Sequence, residues 1–205
     1  MMRFLITQSL LASYGRLFDV DDEYRAEADG EFLLTLSRES RPTTEAQQKG
    51  IDFEAAVYAL AEFGVRPEDQ FLPGASMIAE IIRGAQKQVR VERELELDGR
   101  TFLVYGIADA VRAGEIFDIK FSTRSLASAD FYGKYLHSPQ HSAYFHAMPG
   151  AYRFTYLVSD GRDIYKEIYT AAETPPIEEY IRPMIRYLED TGLIGLYETH
   201  WRARE

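Results

Sequence analysis

Two aspartates and a lysine interrupt segments that otherwise have the pattern of apolar strands. Asp109 sits in Tyr105-Gly106-Ile107-Ala108-Asp109-Ala110-Val111, and nine residues later Asp118 and Lys120 flank Ile119 in Phe117-Asp118-Ile119-Lys120-Phe121. A lone carboxylate in such a setting is costly unless it is paired, hydrogen-bonded or bound to a metal. On a strand, Asp118 and Lys120 share one face and Ile119 takes the other, while the Ile119 carbonyl stays beside Asp118. A hairpin through Gly114 would bring Asp109 across from Asp118, in a register left open at this level. Two carboxylates and a carbonyl form an all-oxygen set suited to Mg2+ or Mn2+. A cation held there polarises a phosphoryl group and acidifies a bound water. Lys120 would orient that water or neutralise charge developing on the phosphate. The chemistry indicated is metal-assisted phosphodiester hydrolysis. The competing reading is a structural Asp–Lys pair at a sheet edge, against which Asp109 in its apolar surroundings weighs.

These residues need a sheet and covering helices. From Lys87 the apolar period becomes two, through Val89, Val91 and Leu95 to Leu97, with one apparent slip near Glu94. Asp98-Gly99 is a two-residue hairpin turn. Thr101 to Val111 returns, Arg112-Ala113-Gly114 turns again, and Glu115 to Phe121 forms a third strand. Ahead of this meander, Thr44 with Gln47 makes a capping box for a helix ending near Phe63, with Gly64 as its stop. Phe53, Val57, Leu60 and Ala61 form its apolar stripe, and Glu54 and Tyr58 lie one turn apart on an adjoining face. Glu54 alone reads as a surface carboxylate; beside the aspartates it becomes a further ligand, direct or through water. Pro67 to Gly74 reads as a loop and Ala75 to Arg83 as a short helix. Ser128 to Phe131 opens a helix interrupted at Gly133 and clearest from Pro139 to Met148. Gln140 and Tyr144 there lie one turn apart and can face the sheet together. Tyr152 to Val158 and Asp163 to Ile168 form a strand pair, and Ile177, Ile181, Met184, Ile185 and Leu188 line a last helix. A first helix spans Ser9 to Phe18, with Leu10, Leu11, Tyr14 and Phe18 on one side, and residues 34–44 read as irregular. The order fits an α/β domain with a mixed central sheet covered by helices.

Composition narrows the chemistry. The chain has 205 residues, 46% of them hydrophobic, no cysteine and a formal net charge of -10. That size fits one domain, residues 1–205. The absence of cysteine excludes disulfides, thiol catalysis, cysteine-bound zinc and an iron–sulfur cluster. It fits a cytoplasmic protein, and no apolar run is long enough for a membrane span, so no membrane partner is expected. The acidic balance argues against a simple DNA-binding module but not against an enzyme with a local basic channel. Much of it is concentrated between Asp19 and Glu31, a solvated segment. His137 and His141, spaced for one helical turn, read as surface or nucleic-acid-near residues, since the aspartates favour a hard cation. Phe131, Tyr132 and Tyr135 read as core or as a strand-separating surface. Arg124, Lys134 and Arg153 are candidate phosphate contacts.

Taken in order, Glu54 in Gly50-Ile51-Asp52-Phe53-Glu54, Asp109, Asp118-Ile119-Lys120 and Gln140-His141-Ser142-Ala143-Tyr144 resemble the PD-(D/E)XK nuclease superfamily. The likeness is greatest to its RecB-like, RecE-like and lambda-exonuclease-like phage or prophage exonucleases. It runs over roughly residues 6–169, including a serine–leucine opening at Ser9-Leu10-Leu11. Ala108 stands where the superfamily name has proline. Glutamate at 54, where relatives often have histidine, and the lack of cluster cysteines place the chain on the RecE-like side. The resemblance implies a restriction-endonuclease-like core, with 170–205 as a C-terminal helical extension. It implies Mg2+ or Mn2+ held by Glu54, Asp109, Asp118 and the Ile119 carbonyl, with Lys120 catalytic and Gln140 and Tyr144 positioning the DNA strand. The expected activity is a metal-dependent DNA exonuclease of phage recombination or DNA processing. An endonuclease of the same fold and a catalytically silent DNA- or protein-binding relative are the alternatives. Such relatives also suggest a homo-oligomeric ring and a single-strand annealing or recombination partner.

Overall fold

The computed structural model describes residues 2–64, 71–127 and 131–203. The first half of the loop expected at Pro67 to Gly74, and the helix start expected at Ser128, lie outside them. In chain order the elements are β1 (Arg3–Thr7), α1 (Gln8–Asp19), α2 (Arg25–Leu36), α3 (Glu45–Phe63) and α4 (Leu72–Ile81). Then come β2 (Gln86–Leu97), β3 (Arg100–Arg112), β4 (Glu115–Phe121), α5 (Pro139–Ala147), β5 (Arg153–Ser159), β6 (Ile164–Thr170), α6 (Glu178–Asp190) and α7 (Ile194–His200). The sheet is mixed, in the order β1-β3-β4-β5-β6, with β2 on the other edge of β3.

Local chemistry accounts for the elements around the sheet centre. Thr44 accepts from the Gln47 amide and the Gln47 side chain caps Thr44 in return, so α3 starts with a complete capping box. It ends at Gly64, which takes the left-handed conformation that a side chain disfavours. Phe53 and Val57 are fully buried, which contributes roughly 1.5–3 kcal/mol each. Asp98 and Gly99 both have positive φ, as the tight turn between β2 and β3 requires. That turn pairs Leu97 with Arg100 and fixes the register of the whole hairpin. In β2 the alternation does not slip. Val91, Leu95 and Leu97 are buried and Val89 half-buried, all in one phase, with Glu94 simply on the other face.

β3 changes partners along its length. Its first half pairs in parallel with β1, from Arg3↔Thr101 to Thr7↔Tyr105. Its last residues pair antiparallel with β4, from Ala110↔Phe117 to Arg112↔Glu115. Between them, residues 106–109 have no strand on that edge, so the sheet forks. β4 and β5 then run in parallel, with Asp118 beside Tyr156, and β6 returns antiparallel.

Three apolar clusters hold the layers together. Phe53, Val57, Ile78, Ala110, Phe117 and Ile119 join α3 and α4 to one face. Ala108, Ile116, Tyr144, Phe154 and Tyr156 join α5 to the other. Phe4, Ile6, Leu10, Ile181, Tyr197 and Trp201 join α1, α6 and α7 to β1. The C-terminal helices are thus an extension in sequence only, because they complete the core over β1. In α1 it is Leu17, not Phe18, that is buried with Leu10 and Leu11; Phe18 is exposed. The expected irregular stretch from 34 begins only after Leu36. Leu72 to Gly74 is helical, with Pro73 in the first turn, where its missing N–H is harmless. Glycine is required at 74, since a Cβ there would stand 2.0 Å from Ser159 Oγ. Residues 132–137 form turns before α5, so no helix runs on from Phe131 to Pro139. Among the described residues no helix is long and apolar enough to cross a membrane.

Candidate active site

The fork is where the charges meet. Extending the β3–β4 register by one pair beyond Ala110↔Phe117 would set Asp109 opposite Asp118, and the pairing stops there. β3 rolls at the same place. Ala108 packs in the α5-side core and Ala110 in the α3–α4 core, although residues two apart on a regular strand share a face. Asp109 turns into the gap, and its Oδ2 accepts a hydrogen bond from the Ile119 backbone N–H at 2.7 Å. The N–H and C=O of one strand residue project to the same edge, so the Ile119 carbonyl faces the gap too.

Asp118 is 5% exposed. Its Oδ1 accepts from Lys120 Nζ at 3.1 Å and from Gln140 Nε2 at 2.5 Å. Its Oδ2 lies 2.8 Å from Lys120 Nζ, an ion-pair contact without hydrogen-bond alignment, and has no hydrogen-bond partner among the described residues. Burial opposes the charge on Lys120, but Asp118 beside it, with help from Asp109, overrides this and raises its pKa. The lysine therefore stays protonated. Burial, then repulsion from Asp118 and from Glu54, pushes the Asp109 carboxyl up to about 8, against the pull of the Ile119 amide and Lys120.

Gln140 and Tyr144 do face the sheet together. Ser138 caps α5 and sends Gln140 to Asp118, while Tyr144 donates to the Ile107 carbonyl at 2.5 Å. Both are nearly fully buried, so what they position directly is Asp118 and the β3 backbone. Tyr144 also explains Gly106: a Cβ there would press on its ring at 3.1 Å.

Glu54 approaches from α3. Its Oε1 accepts from Tyr58 Oη at 2.6 Å and from Gln88 Nε2 at 2.7 Å. Tyr58 shares its proton with the Asp109 carbonyl at 3.1 Å, tying α3 to the fork, and burial together with Glu54 raises its pKa. Gln88 was not singled out from sequence, though a signal existed. The Asp98-Gly99 turn sets partners whose numbers sum as 97 and 100 do, which places Gln88 opposite Asp109. It is also one of four non-glycine residues with positive φ among the described residues, at 50°. Such a backbone costs roughly 1–3 kcal/mol and persists where its surroundings enforce it.

The donors fit Mg2+ or Mn2+ in kind: they are all oxygen, one buried carboxylate oxygen lacks a hydrogen bond, and the carboxylates repel one another. They are not a closed cage. Among the described residues no three acidic or histidine side chains converge closely enough to hold one ion. Glu54, Asp109 and Asp118 thus do not form such a group, and Tyr58 and Gln88 occupy one oxygen of Glu54. A groove of about 690 Å3, between Ile51 and Glu54 of α3 and Ile119 to Phe121 of β4, leads to this point. A larger depression of about 780 Å3 lies at the far end of β3, beside Arg3 and Glu94, which pair with each other.

Other candidates lie elsewhere. His141 is 1% exposed, stacked on Tyr169 at 4.2 Å, with burial lowering its pKa to about 4. It is a core residue, not a surface one, and exposed His137 precedes the helix. Arg153 pairs with Glu115 at the opposite end of β4 from Lys120. Phe131 is buried, Tyr135 half-buried and Tyr132 exposed.

No protein-family model matches the chain, and no curated protein matches it. The fold is similar to the crystal structure of SSO0001, with a TM-score of 0.51 and 16% identity over 93% of this chain and 76% of that one. This likeness supports the α/β fold with its mixed central sheet between helices. Rai1 of Scheffersomyces stipitis is a slighter likeness, with a TM-score of 0.40 and 14% identity over 91% of this chain and 61% of Rai1, too slight to carry an argument.

Proposed function

We propose that this protein is a metal-dependent deoxyribonuclease on a restriction-endonuclease-like core, acting as an exonuclease on linear DNA in phage recombination or DNA processing. The run α3-α4-β2-β3-β4-α5-β5, with β4 and β5 parallel, supports the core. The observation that carries the activity is the fork. Asp109 meets the Asp118-Ile119-Lys120 segment across a gap in the sheet, joined by the Ile119 N–H.

Asp109, Asp118 and the Ile119 carbonyl would hold Mg2+ or Mn2+, with Glu54 reaching it through water. The ion would supply a polarised phosphoryl group and an acidified water. Gln140 and Lys120 fix the direction of the Asp118 carboxylate. Lys120, held protonated, offers positive charge where the pentavalent phosphate becomes more negative. Tyr144 and Gly106 set the path of β3 and so the place of Asp109. Gln88 and Tyr58 hold one oxygen of Glu54 and leave the other toward the groove.

The test compares linear with covalently closed circular duplex DNA, in Mg2+ or Mn2+, using wild type and Lys120→Ala. Degradation of linear DNA alone, dependent on metal and lost in the variant, supports the proposal. Equal cutting of circles would make the protein an endonuclease. Absence of metal-dependent cleavage on any DNA would leave a binding protein of the same fold.

A further inference from the structure

Beyond Phe121 the chain leaves β4 through Ser122, Thr123 and Arg124. The Ser122 N–H donates to the Ser159 carbonyl, and the Ser122 hydroxyl donates to the Arg124 carbonyl and accepts from the Arg124 N–H. This small closed turn fixes where Arg124 starts. Facing it is the turn before α5, which is equally well held. Tyr135 donates its N–H to Glu167 and stacks on Tyr156 at 4.1 Å and 9°. Between these two segments lies a cavity of about 230 Å3 lined by Thr123, Arg124, Lys134 and Tyr135. At ~30 Å3 per water, it has room for a phosphate group with several waters. Its wall continues from Lys120, and Tyr135 lies close enough to feel both Lys120 and Asp118.

The notch brings two cations together on an acidic chain. Many cations of the chain meet carboxylates, as in Arg3–Glu94, Lys87–Glu62 and Arg182–Asp98. Arg124 and Lys134 form no ion pair among the described residues, and both are exposed. The Lys134 ammonium lies over the Phe131 and Tyr135 rings at 5.0 and 5.8 Å, which orients it without neutralising it. Arginine offers a planar fork matched to phosphate oxygens. Hydroxyls of Thr123 and Tyr135 complete a set made for an anion.

The geometry points to a phosphate subsite in this notch, which takes a phosphate of the nucleic-acid strand near the one presented to Asp109 and Asp118. It rests on the nuclease reading and adds how an acidic enzyme grips its substrate. The phosphate is either internal to the strand or terminal. The experiment measures KM and kcat of wild type and Arg124→Ala/Lys134→Ala on linear duplex with 5′-phosphate or 5′-hydroxyl ends, over a salt series.

The expected result is a KM raised about tenfold with kcat within about threefold. The slope of log affinity against log salt should become shallower by about 0.7–0.9, the value for one phosphate contact. Arg124→Lys/Lys134→Arg should recover most of the loss. A loss confined to phosphorylated ends assigns a terminal phosphate, and equal loss on both assigns an internal one. Unchanged KM and salt slope on both substrates, in a variant that melts like wild type, overturn the subsite while leaving the nuclease reading standing. Should wild type cleave nothing, fluorescence anisotropy of the same duplexes decides. Binding that weakens in the double variant upholds the subsite without the nuclease, and binding that does not weaken overturns it.

Discussion

Asp118 and Glu167 sit in one cross-strand row, on either side of Tyr156, and the fold treats them in opposite ways. Both are buried, at 5% and 8% exposure. Glu167 is surrounded by neutral donors: Tyr135 N–H and Tyr169 Oη reach one oxygen, and Tyr165 Oη reaches the other at 3.0 Å. Asp118 keeps one oxygen without a hydrogen bond and has a second carboxylate across the fork. A buried carboxylate whose lone pairs are filled is part of the architecture. One that keeps an oxygen without a hydrogen bond beside another acid has the character that the proposed cation would require.

Substitutions at the two ends of the row should therefore separate activity from stability. Lys120→Ala and Asp118→Asn should each reduce metal-dependent cleavage on the order of 10^3-fold, comparable to removal of a transition-state donor, and Asp118→Asn, which removes the buried charge, should do so with little change in unfolding midpoint. Glu167→Ala should do the reverse. Two tyrosine hydroxyls and an amide lose their acceptor, costing about 3 kcal/mol in urea unfolding, while cleavage per folded molecule stays within a few-fold. If Glu167→Ala abolished cleavage in fully folded protein, the contrast would collapse.

Metal should act on one end only. Mg2+ at 100 times its dissociation constant should add about 2.7 kcal/mol to wild type, and much less to Asp109→Asn. In metal-free protein the sign with pH follows from Asp109. Its folded pKa lies above the unfolded one, so its stabilising contribution is complete at low pH and is lost as pH rises through about 8. Asp109→Asn should flatten that decline in a pH series of thermal melts. The smallest effect belongs to Gln88. Gln88→Gly relieves the positive φ and should change stability by less than about 1 kcal/mol, yet lower kcat several-fold as Glu54 loosens.

Much of this was legible before folding. Asp109, Asp118 and Lys120 stood out because charge broke apolar strands. Thr44 with Gln47 and Asp98-Gly99 carried their own turn and cap chemistry. What was missed depends on distant partners. β1 is a five-residue strand whose partner in β3 lies nearly a hundred residues away, and its own alternation is too brief to announce it. The solvated acidic segment conceals α2, whose only deep contacts are Ala28, Phe32 and Leu36. Tyr144 reads equally as core or as site from sequence. Its contact with Gly106 and the Ile107 carbonyl shows that it is core and that it sets the β3 backbone beside the candidate site.

The fork also has a mechanical meaning. In a continuous sheet, neighbouring strands are clamped about 4.8 Å apart by a ladder of backbone bonds. Here the ladder runs only to Ala110 and Phe117, and past it the two arms are joined by a side chain, Asp109 to the Ile119 N–H. The arrangement works like pliers, with stiff handles in β3–β4 pairing and a compliant jaw. The width of that jaw is governed by the same carboxylate that would grip the proposed ion, so loading would also tighten it.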